Sequence, residues 1–312
     1  MSLEAFVLGT GGMMPLPGRF LTSVLLRREG DLFLFDCGEG TQVSLRGLNL
    51  KWKKITAIFI SHTHADHITG LPGILMLSSQ VDRVEPLYII GPPKIREFVE
   101  LSRRVLDMYI NYEIVVQEIE NPGQPGEVFR QNGYAVTSFP LRHTKPCVGY
   151  AFAEDTRPGV FYPEKALGLG VPRGPLWSRL QAGSPVVSES GQTVQPEDVL
   201  GPSRRGRKFS FITDTLFTQS ACAYVKDSDI LICEGMFAKD LEDSAREKKH
   251  MTSQQAAAIA KNSGGIGKMG LIHYSPRYME RDLKQLLREA REIFPDTFLT
   301  RDGQVLPMPN PD

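Results

Sequence analysis

The chain is predicted to be an α/β protein. Strand-like apolar runs and helix-like amphipathic segments alternate from end to end, and histidine or aspartate repeatedly closes a strand. No apolar run reaches the roughly 18 residues that a membrane span needs. A naive count at 312 residues suggests two domains, but α/β folds of this size often form one, and a single domain over 1–312 is expected.

Taken in order, strands are expected at 4–9, 21–27 and 31–36; the third is apolar Leu32-Phe-Leu-Phe35 closed by Asp36, and a helix follows near 39–46. The β-branched run Ile55-Thr-Ala-Ile-Phe-Ile60 reads as a buried strand at 55–60. Ile68-x-x-Leu71-x-x-x-Leu75 then carries helical spacing over 66–79. A strand at 86–90, a helix at 93–108 and strands at 113–118, 134–139 and 148–153 come next. Beyond them lie strands at 208–213, 229–234 and 269–273, with helices near 216–225, 252–263 and 279–293. Periodicity alone leaves the arrangement of these elements open.

From Glu154 to Arg207 the alternation stops. The stretch is rich in Pro, Gly and Ser, with Arg157-Pro-Gly159, Gly170-Val-Pro-Arg-Gly-Pro175 and Gly201-Pro-Ser203. A loop this long within a compact domain is usually functional or disordered. Its Arg157, Lys165, Arg173 and Arg179 face Glu154, Asp155, Glu164, Glu189, Glu197 and Asp198.

Thirty-six basic residues balance thirty-six acidic ones, so no global field draws in a polyanion. Local basic runs occur at Lys51-Trp-Lys-Lys54, Arg204-Arg-Gly-Arg-Lys208 and Lys248-Lys249, and such runs are ordinarily solvated surface. Cys37, Cys147, Cys222 and Cys233 are scattered without C-x-x-C pairing, as buried thiols of a reducing compartment would be. Met-Ser-Leu-Glu runs straight into a strand, with no signal-peptide pattern, and a cytoplasmic location without membrane attachment is expected.

Residues 61–67 read Ser-His-Thr-His-Ala-Asp-His. His62 and His64 are two apart, so in extended backbone they point to the same side and can share one ion. Asp66 and His67 fall where the helix begins and turn toward a second point. The heptad is therefore suited to two neighbouring ions. The mixed nitrogen and oxygen set favours zinc, with manganese or iron admissible because carboxylates contribute. The chain has only six histidines. His143 lies just after the strand Tyr134-Ala-Val-Thr-Ser-Phe139, His273 ends Met269-Gly-Leu-Ile-His, and Asp214 ends Phe209-Ser-Phe-Ile-Thr-Asp. Strand ends of one sheet edge deliver ligands in this way.

The heptad, with His143, Asp214 and His273 in that order, resembles the metallo-β-lactamase superfamily. Leu8-Gly-Thr-Gly-Gly12, Phe35-Asp-Cys-Gly-Glu-Gly-Thr-Gln42, His250-Met-Thr252 and His273-Tyr-Ser-Pro-Arg-Tyr278 narrow the resemblance to its ribonuclease Z family, from about residue 4 to about residue 307. The resemblance implies a four-layer αββα sandwich with a protruding Gly/Pro-rich arm at approximately 154–207. It implies two Zn2+, one on His62, His64 and His143, the other on Asp66, His67 and His273, with Asp214 bridging. It further implies a zinc endoribonuclease that removes the 3′ trailer of precursor tRNA, working as a homodimer. The arm would grip tRNA through a Gly-Pro motif that Gly174-Pro175 fits. At two points the chain departs from the family's usual residues: Gly235-Met236 stands where Ala-Thr is common, and Thr213 replaces a common Gly.

Charge points the same way, because two divalent ions outweigh Asp66 and Asp214 and make an anionic phosphodiester a more natural guest than a neutral ester. The leaving group is an alkoxide, for which a proton donor helps. His250, the histidine outside the ligand set, takes this role by family resemblance, and Asp66 orients or deprotonates the attacking water. Glu234 closes the strand Asp229-Ile-Leu-Ile-Cys-Glu and is either the carboxylate that orients His250 or a solvated strand end. Ser275 and Arg277 follow a ligand and offer a hydroxyl and a guanidinium to phosphate oxygens. Thr252 is either a phosphate contact or the N-cap of the next helix. Asp36 reads as structural support rather than a ligand, and Trp177 as part of the arm's own small core. The alternative function is a zinc phosphodiesterase of the same fold acting on small or other nucleic-acid phosphodiesters.

Overall fold

A computed structural model describes residues 2–80 and 83–311 of the chain. Its strands are β1 Leu3–Gly9, β2 Ser23–Arg28, β3 Asp31–Phe35, β4 Ile55–Phe59, β5 Leu87–Gly91, β6 Ile114–Glu118, β7 Gly126–Gln131, β8 Tyr134–Arg142, β9 Pro146–Glu154, β10 Val186–Val187, β11 Thr193–Val194, β12 Lys208–Ile212, β13 Ile230–Glu234, β14 Lys268–Ile272, β15 Thr297–Leu299 and β16 Val305–Pro307. Its helices are α1 Thr41–Gly47, α2 Ala65–Ile68, α3 Leu71–Ser79, α4 Ile95–Val105, α5 Pro163–Gly168, α6 Pro175–Gln181, α7 Pro196–Val199, α8 Gln219–Val225, α9 Glu242–Lys248, α10 Ser253–Ser263 and α11 Leu283–Arg291. None of these helices is long and apolar enough to cross a membrane.

The chain divides into two units, Met1–Ala153 with Lys208–Pro309, and Glu154–Arg207 with Asn310–Asp312. In the first, two seven-stranded sheets run β16-β1-β2-β3-β4-β5-β6 and β15-β14-β13-β12-β9-β8-β7. Both are mixed: β3, β4, β5 and β6 pair in parallel, as do β12, β13, β14 and β15, while the remaining described ladders are antiparallel. Aromatic side chains from both sheets share one core, in which the Phe35 ring lies 5.3 Å from Phe209 and 5.8 Å from Phe211. Emptying such a position, as in Phe35→Ala, costs about 3–5 kcal/mol.

On the outer face of the first sheet, α1, α3 and α4 bury Leu45, Ile74 and Val99 against Leu8, Ile58 and Ile89. The outer face of the second sheet is covered by α8, α10 and α11, through Cys222, Ile259 and Leu286. Each sheet is thus buried on both faces, and the layers run αββα. This is the architecture that the resemblance implied.

Several elements depart from the sequence expectation. The helix expected at 66–79 is two helices, α2 and α3, separated at Thr69–Gly70. Gly70 packs so closely on the preceding loop that a Cβ there would lie 2.2 Å from the Gly38 carbonyl oxygen. Pro72, which lacks an N–H, then sits in the first turn of α3, where no partner is needed. The strands β7, β15 and β16 had no clear signal; β7 buries only Val128 fully, so its alternation is too weak to read.

The second unit is more ordered than its composition suggests. It holds α5, α6, α7 and the β10–β11 hairpin around a core of Ala166, Val171, Leu180, Val186, Val194 and Val199. Trp177 packs on this core, 5.1 Å from the Phe161 ring, and its Nε1 donates to the Val171 carbonyl at 3.0 Å. Arg207 and Glu154, both almost fully buried, form a two-pronged ion pair with contacts of 2.7 Å.

Candidate metal centre

Parallel pairing aligns the C-terminal ends of neighbouring strands, and the chemistry-bearing residues follow those ends. Asp36 follows β3, Ser61 and His62 follow β4, His143 follows β8, Asp214 follows β12, Glu234 ends β13 and His273 follows β14. His64 is the N-cap of α2, which carries Asp66 and His67. His273 adopts a left-handed backbone conformation, φ 62°. Its ring is accommodated because residue 12 is glycine: a Cβ there would come within 2.4–2.8 Å of the imidazole.

These side chains gather into two adjoining groups, His62, His64, His143 with Asp214, and Asp66, His67 with His273, each having its donor atoms within 4.8 Å of one another. His62 Nε2 lies 2.9 Å from His64 Nδ1, which lies 3.2 Å from His143 Nε2. In the other group His67 Nε2 is 3.2 Å from His273 Nε2, which is 3.3 Å from Asp66 Oδ2. Asp214 faces both. Its Oδ2 is 3.5 Å from His62 Nε2 and 3.7 Å from His143 Nε2, and its Oδ1 is 3.4 Å from His67 Nε2 and 3.1 Å from His273 Nε2.

Outer partners set which nitrogen looks inward. His67 Nδ1 is 2.7 Å from Asp36 Oδ2, His143 Nδ1 is 2.9 Å from the Lys249 carbonyl, and His62 Nδ1 is 3.0 Å from Ser61 Oγ. With hydrogens held on those Nδ1 atoms, Nε2 is the nitrogen that each ring turns to the cluster. His64 is reversed, with Nδ1 inward and Nε2 3.3 Å from Thr144 Oγ1.

Charge within the cluster is tightly balanced. Burial lowers the His64 pKa to about 4 and the His143 pKa to about 3, and burial with the nearby His67 lowers that of His62. These three rings are neutral at pH 7 and ready to ligate. Burial acts against charge on His67 too, but Asp214, Asp36 and Asp66 outweigh it and hold its pKa well above the usual range. Burial likewise opposes charge on Asp66 and Asp214, yet the imidazoles around them hold both carboxyls well below theirs.

The donor set fits divalent cations. Asp214 Oδ1 is buried without a hydrogen-bond partner. Acceptor atoms converge at distances where a cation, not further hydrogen bonds, satisfies them, and imidazole with carboxylate suits zinc.

His250 lies beside the cluster, its Nε2 3.9 Å from Asp214 Oδ2 and its Nδ1 3.2 Å from Glu234 Oε1. Burial disfavours a charged ring there, but Glu234 and Asp214 prevail and raise the pKa to about 9. Glu234 is fully buried and also accepts from the Thr215 amide at 2.7 Å, so it is no solvated strand end. Asp66 Oδ2 accepts from the Met13 amide at 2.7 Å.

The residues expected to bind substrate sit in different surroundings. Arg277 is exposed, its guanidinium 5.1 Å from the Phe237 ring centre and its Nε donating to Ser275 Oγ at 3.2 Å. Ser275 is buried, and its hydroxyl supports Arg277. For Thr252 the N-cap alternative replaces the phosphate contact: the side chain is buried and its oxygen accepts from the Gln255 amide at 3.2 Å. Gly174 is the N-cap of α6 and Pro175 its first residue, both in the second unit.

A cleft of about 500 Å³ opens over the cluster, lined by Met13, His64, Asp66, His143, Asp214 and His250, and also by Lys248. Lys248 read as ordinary surface because a charge run carries no positional signal. Ser61, Thr215 and Met13 carry no mark in the sequence for a different reason: they act through hydrogen bonds between distant residues, which no spacing rule encodes.

Comparison with known proteins places this geometry in context. The chain is 67% identical to ribonuclease Z of Treponema denticola over 302 residues, 97% of each chain. It is similar to the crystal structure of human tRNase Z, short form, with a TM-score of 0.71 and 26% identity over 99% of this chain and 100% of that one. The metallo-β-lactamase fold protein YhfI of Bacillus subtilis matches in fold, with a TM-score of 0.68 and 20% identity over 99% and 100% of the two chains. A family model described as Anti-Pycsar protein Apyc1 matches residues 3–156.

Proposed function

The chain belongs to the ribonuclease Z family, and on that premise we propose that it hydrolyses a phosphodiester bond of precursor tRNA to release the 3′ trailer. It is a metal-dependent nuclease of the metallo-β-lactamase fold. The observation that carries the reading is Asp214, which turns one oxygen to each of two histidine groups beside a buried His250–Glu234 pair.

In this reading His62, His64 and His143 would hold one zinc and Asp66, His67 and His273 the other, with Asp214 available to both. When bound, such ions would supply Lewis acidity, lower the pKa of a bound water toward about 7 and offset charge on the phosphate. Asp66, fixed by the Met13 amide, would orient the attacking water and take its proton. His250 gives a proton from Nε2 to the departing ribose oxygen while Glu234 holds Nδ1. Arg277, steadied by Ser275, meets phosphate oxygens, and Lys248 adds a cation to the cleft wall. Gly174 and Pro175, with the rest of the second unit, contact the tRNA body. The enzyme works as a homodimer, and its four free, buried thiols suit a reducing cytoplasm.

The test is cleavage of a trailer-bearing precursor tRNA by metal-loaded protein, with bis(p-nitrophenyl) phosphate and a thioester alongside. Release of the trailer with a 3′-hydroxyl on the tRNA is the expected outcome. The balance of thirty-six basic against thirty-six acidic residues favours one second reading, a phosphodiesterase for small or other nucleic-acid substrates. Turnover of the small diester with intact precursor would select it.

A further inference from the structure

Between the two ligand groups lies a buried hydrogen-bond junction centred on Ser61. Its Oγ is 2.8 Å from Asp36 Oδ2, 3.0 Å from His62 Nδ1 and 3.1 Å from Thr213 Oγ1, and its amide donates to Asp36 Oδ1 at 2.7 Å. Ser61, Asp36, His62 and Thr213 are all fully buried, so water cannot substitute for a missing partner.

The directions of these bonds follow from counting. A hydroxyl carries one hydrogen and two lone pairs. An ionised Asp36 only accepts, so the Ser61 hydrogen goes to it. Ser61 must then accept from both remaining neighbours, the His62 Nδ1–H and the Thr213 hydroxyl. A proton held on Nδ1 leaves His62 Nε2 bare toward the first ligand group. The same Asp36 Oδ2 takes the His67 Nδ1 hydrogen at 2.7 Å, which turns His67 Nε2 to the second group.

We propose that Thr213, acting through Ser61 and Asp36, is a positioning residue that orients one histidine of each metal group at once. Thr213 stands directly before Asp214 in sequence. Occupied by Thr213, the second lone pair of Ser61 cannot draw the hydroxyl away from Asp36. The two ion sites then share one support and respond together when it is altered.

The inference rests on the metal reading of the cluster, and the experiment separates the two. Metal-free wild type, Thr213→Val, Thr213→Ser, Ser61→Ala and the Ser61→Ala/Thr213→Val double variant are titrated with Zn2+ against a chromophoric chelator. Melting curves identify folded proteins, and Thr213→Ala stands in should the valine variant not fold. Loss of a group that supports metal-binding histidines typically costs 10–100-fold in affinity. Thr213→Val is expected to weaken both sites about 10-fold and Ser61→Ala about 100-fold. Thr213→Ser should behave as wild type, and the double variant no worse than Ser61→Ala. Wild-type affinity in Thr213→Val, loss at one site only, or additive losses in the double variant would overturn the proposal. Imidazole 15N spectra of the metal-free proteins test the Ser61 junction, on which the proposal depends, independently of zinc. A His62 proton fixed on Nδ1 in wild type and released in Ser61→Ala supports the junction; the same tautomer in both contradicts it. Wild type that binds no zinc at all counts against the metal reading alone.

Discussion

Asp214 Oδ1 lies 3.1 Å from His273 Nε2 and yet takes part in no hydrogen bond. Two buried polar atoms held this close without hydrogen-bonding geometry are placed to share a third, cationic partner. The other oxygen of Asp214 faces His62 Nε2, 3.5 Å away. Asp214→Ala is therefore expected to lose both ions and reduce cleavage to background, while His64→Ala loses most of the zinc and the activity with it. Metal analysis beside single-turnover cleavage checks both. A metal-replete, active His64→Ala protein would remove that residue from the ligand set.

His250 provides a second, separable test. His250→Ala should keep its ions but slow the chemical step by about 10²–10⁴-fold, the usual contribution of a positioned proton donor. Its pKa is raised, to about 9 in the metal-free protein, so the ring is protonated at neutral pH and loses its proton as pH rises through that value. Cations on Asp214 cancel one of the two carboxylates that raise it. The alkaline limb of the loaded enzyme's pH–rate profile should accordingly fall below about 9. Glu234→Gln should move it lower still. An unchanged limb in Glu234→Gln would uncouple that carboxylate from the reaction.

Metal binding should release protons. Without a cation, Asp214, Asp36 and Asp66 keep His67 charged well above its ordinary range, whereas a ligating imidazole must be neutral. Loading at pH 7 is expected to release about one proton from His67 and to weaken as pH falls. Calorimetry in buffers of different ionisation enthalpy measures the release. Equal heats in every buffer would contradict it.

The second unit can be tested by deletion. Removing residues 160–185, which include α5 and α6, should weaken cleavage of precursor tRNA and spare bis(p-nitrophenyl) phosphate. Equal survival of both activities would mean that this segment does not grip tRNA.

Much of the site was legible because its ligands obey spacing rules. His62 and His64 share a face through the period-two geometry of extended chain, and Asp214 and His273 close apolar strands whose parallel pairing aligns their ends. What escaped depends on long-range packing. The helix break at Thr69–Gly70 lies where Gly70 packs closely on Gly38, and β7 is an edge strand with little alternation. The support of His62 by Ser61 and Thr213 joins residues 152 positions apart, which no local pattern announces. Thr252 shows the converse: either role was open from sequence, and burial with the Gln255 bond decided for the helix cap.

The central claim is that Asp214 serves two ions, one on each oxygen. Anomalous diffraction at the zinc edge from crystals of the zinc-loaded protein tests it most directly. The account predicts two peaks about 3.5–4 Å apart, one among His62, His64 and His143 and the other among Asp66, His67 and His273, with Asp214 touching both. A single peak, or two peaks of which Asp214 touches only one, would contradict it.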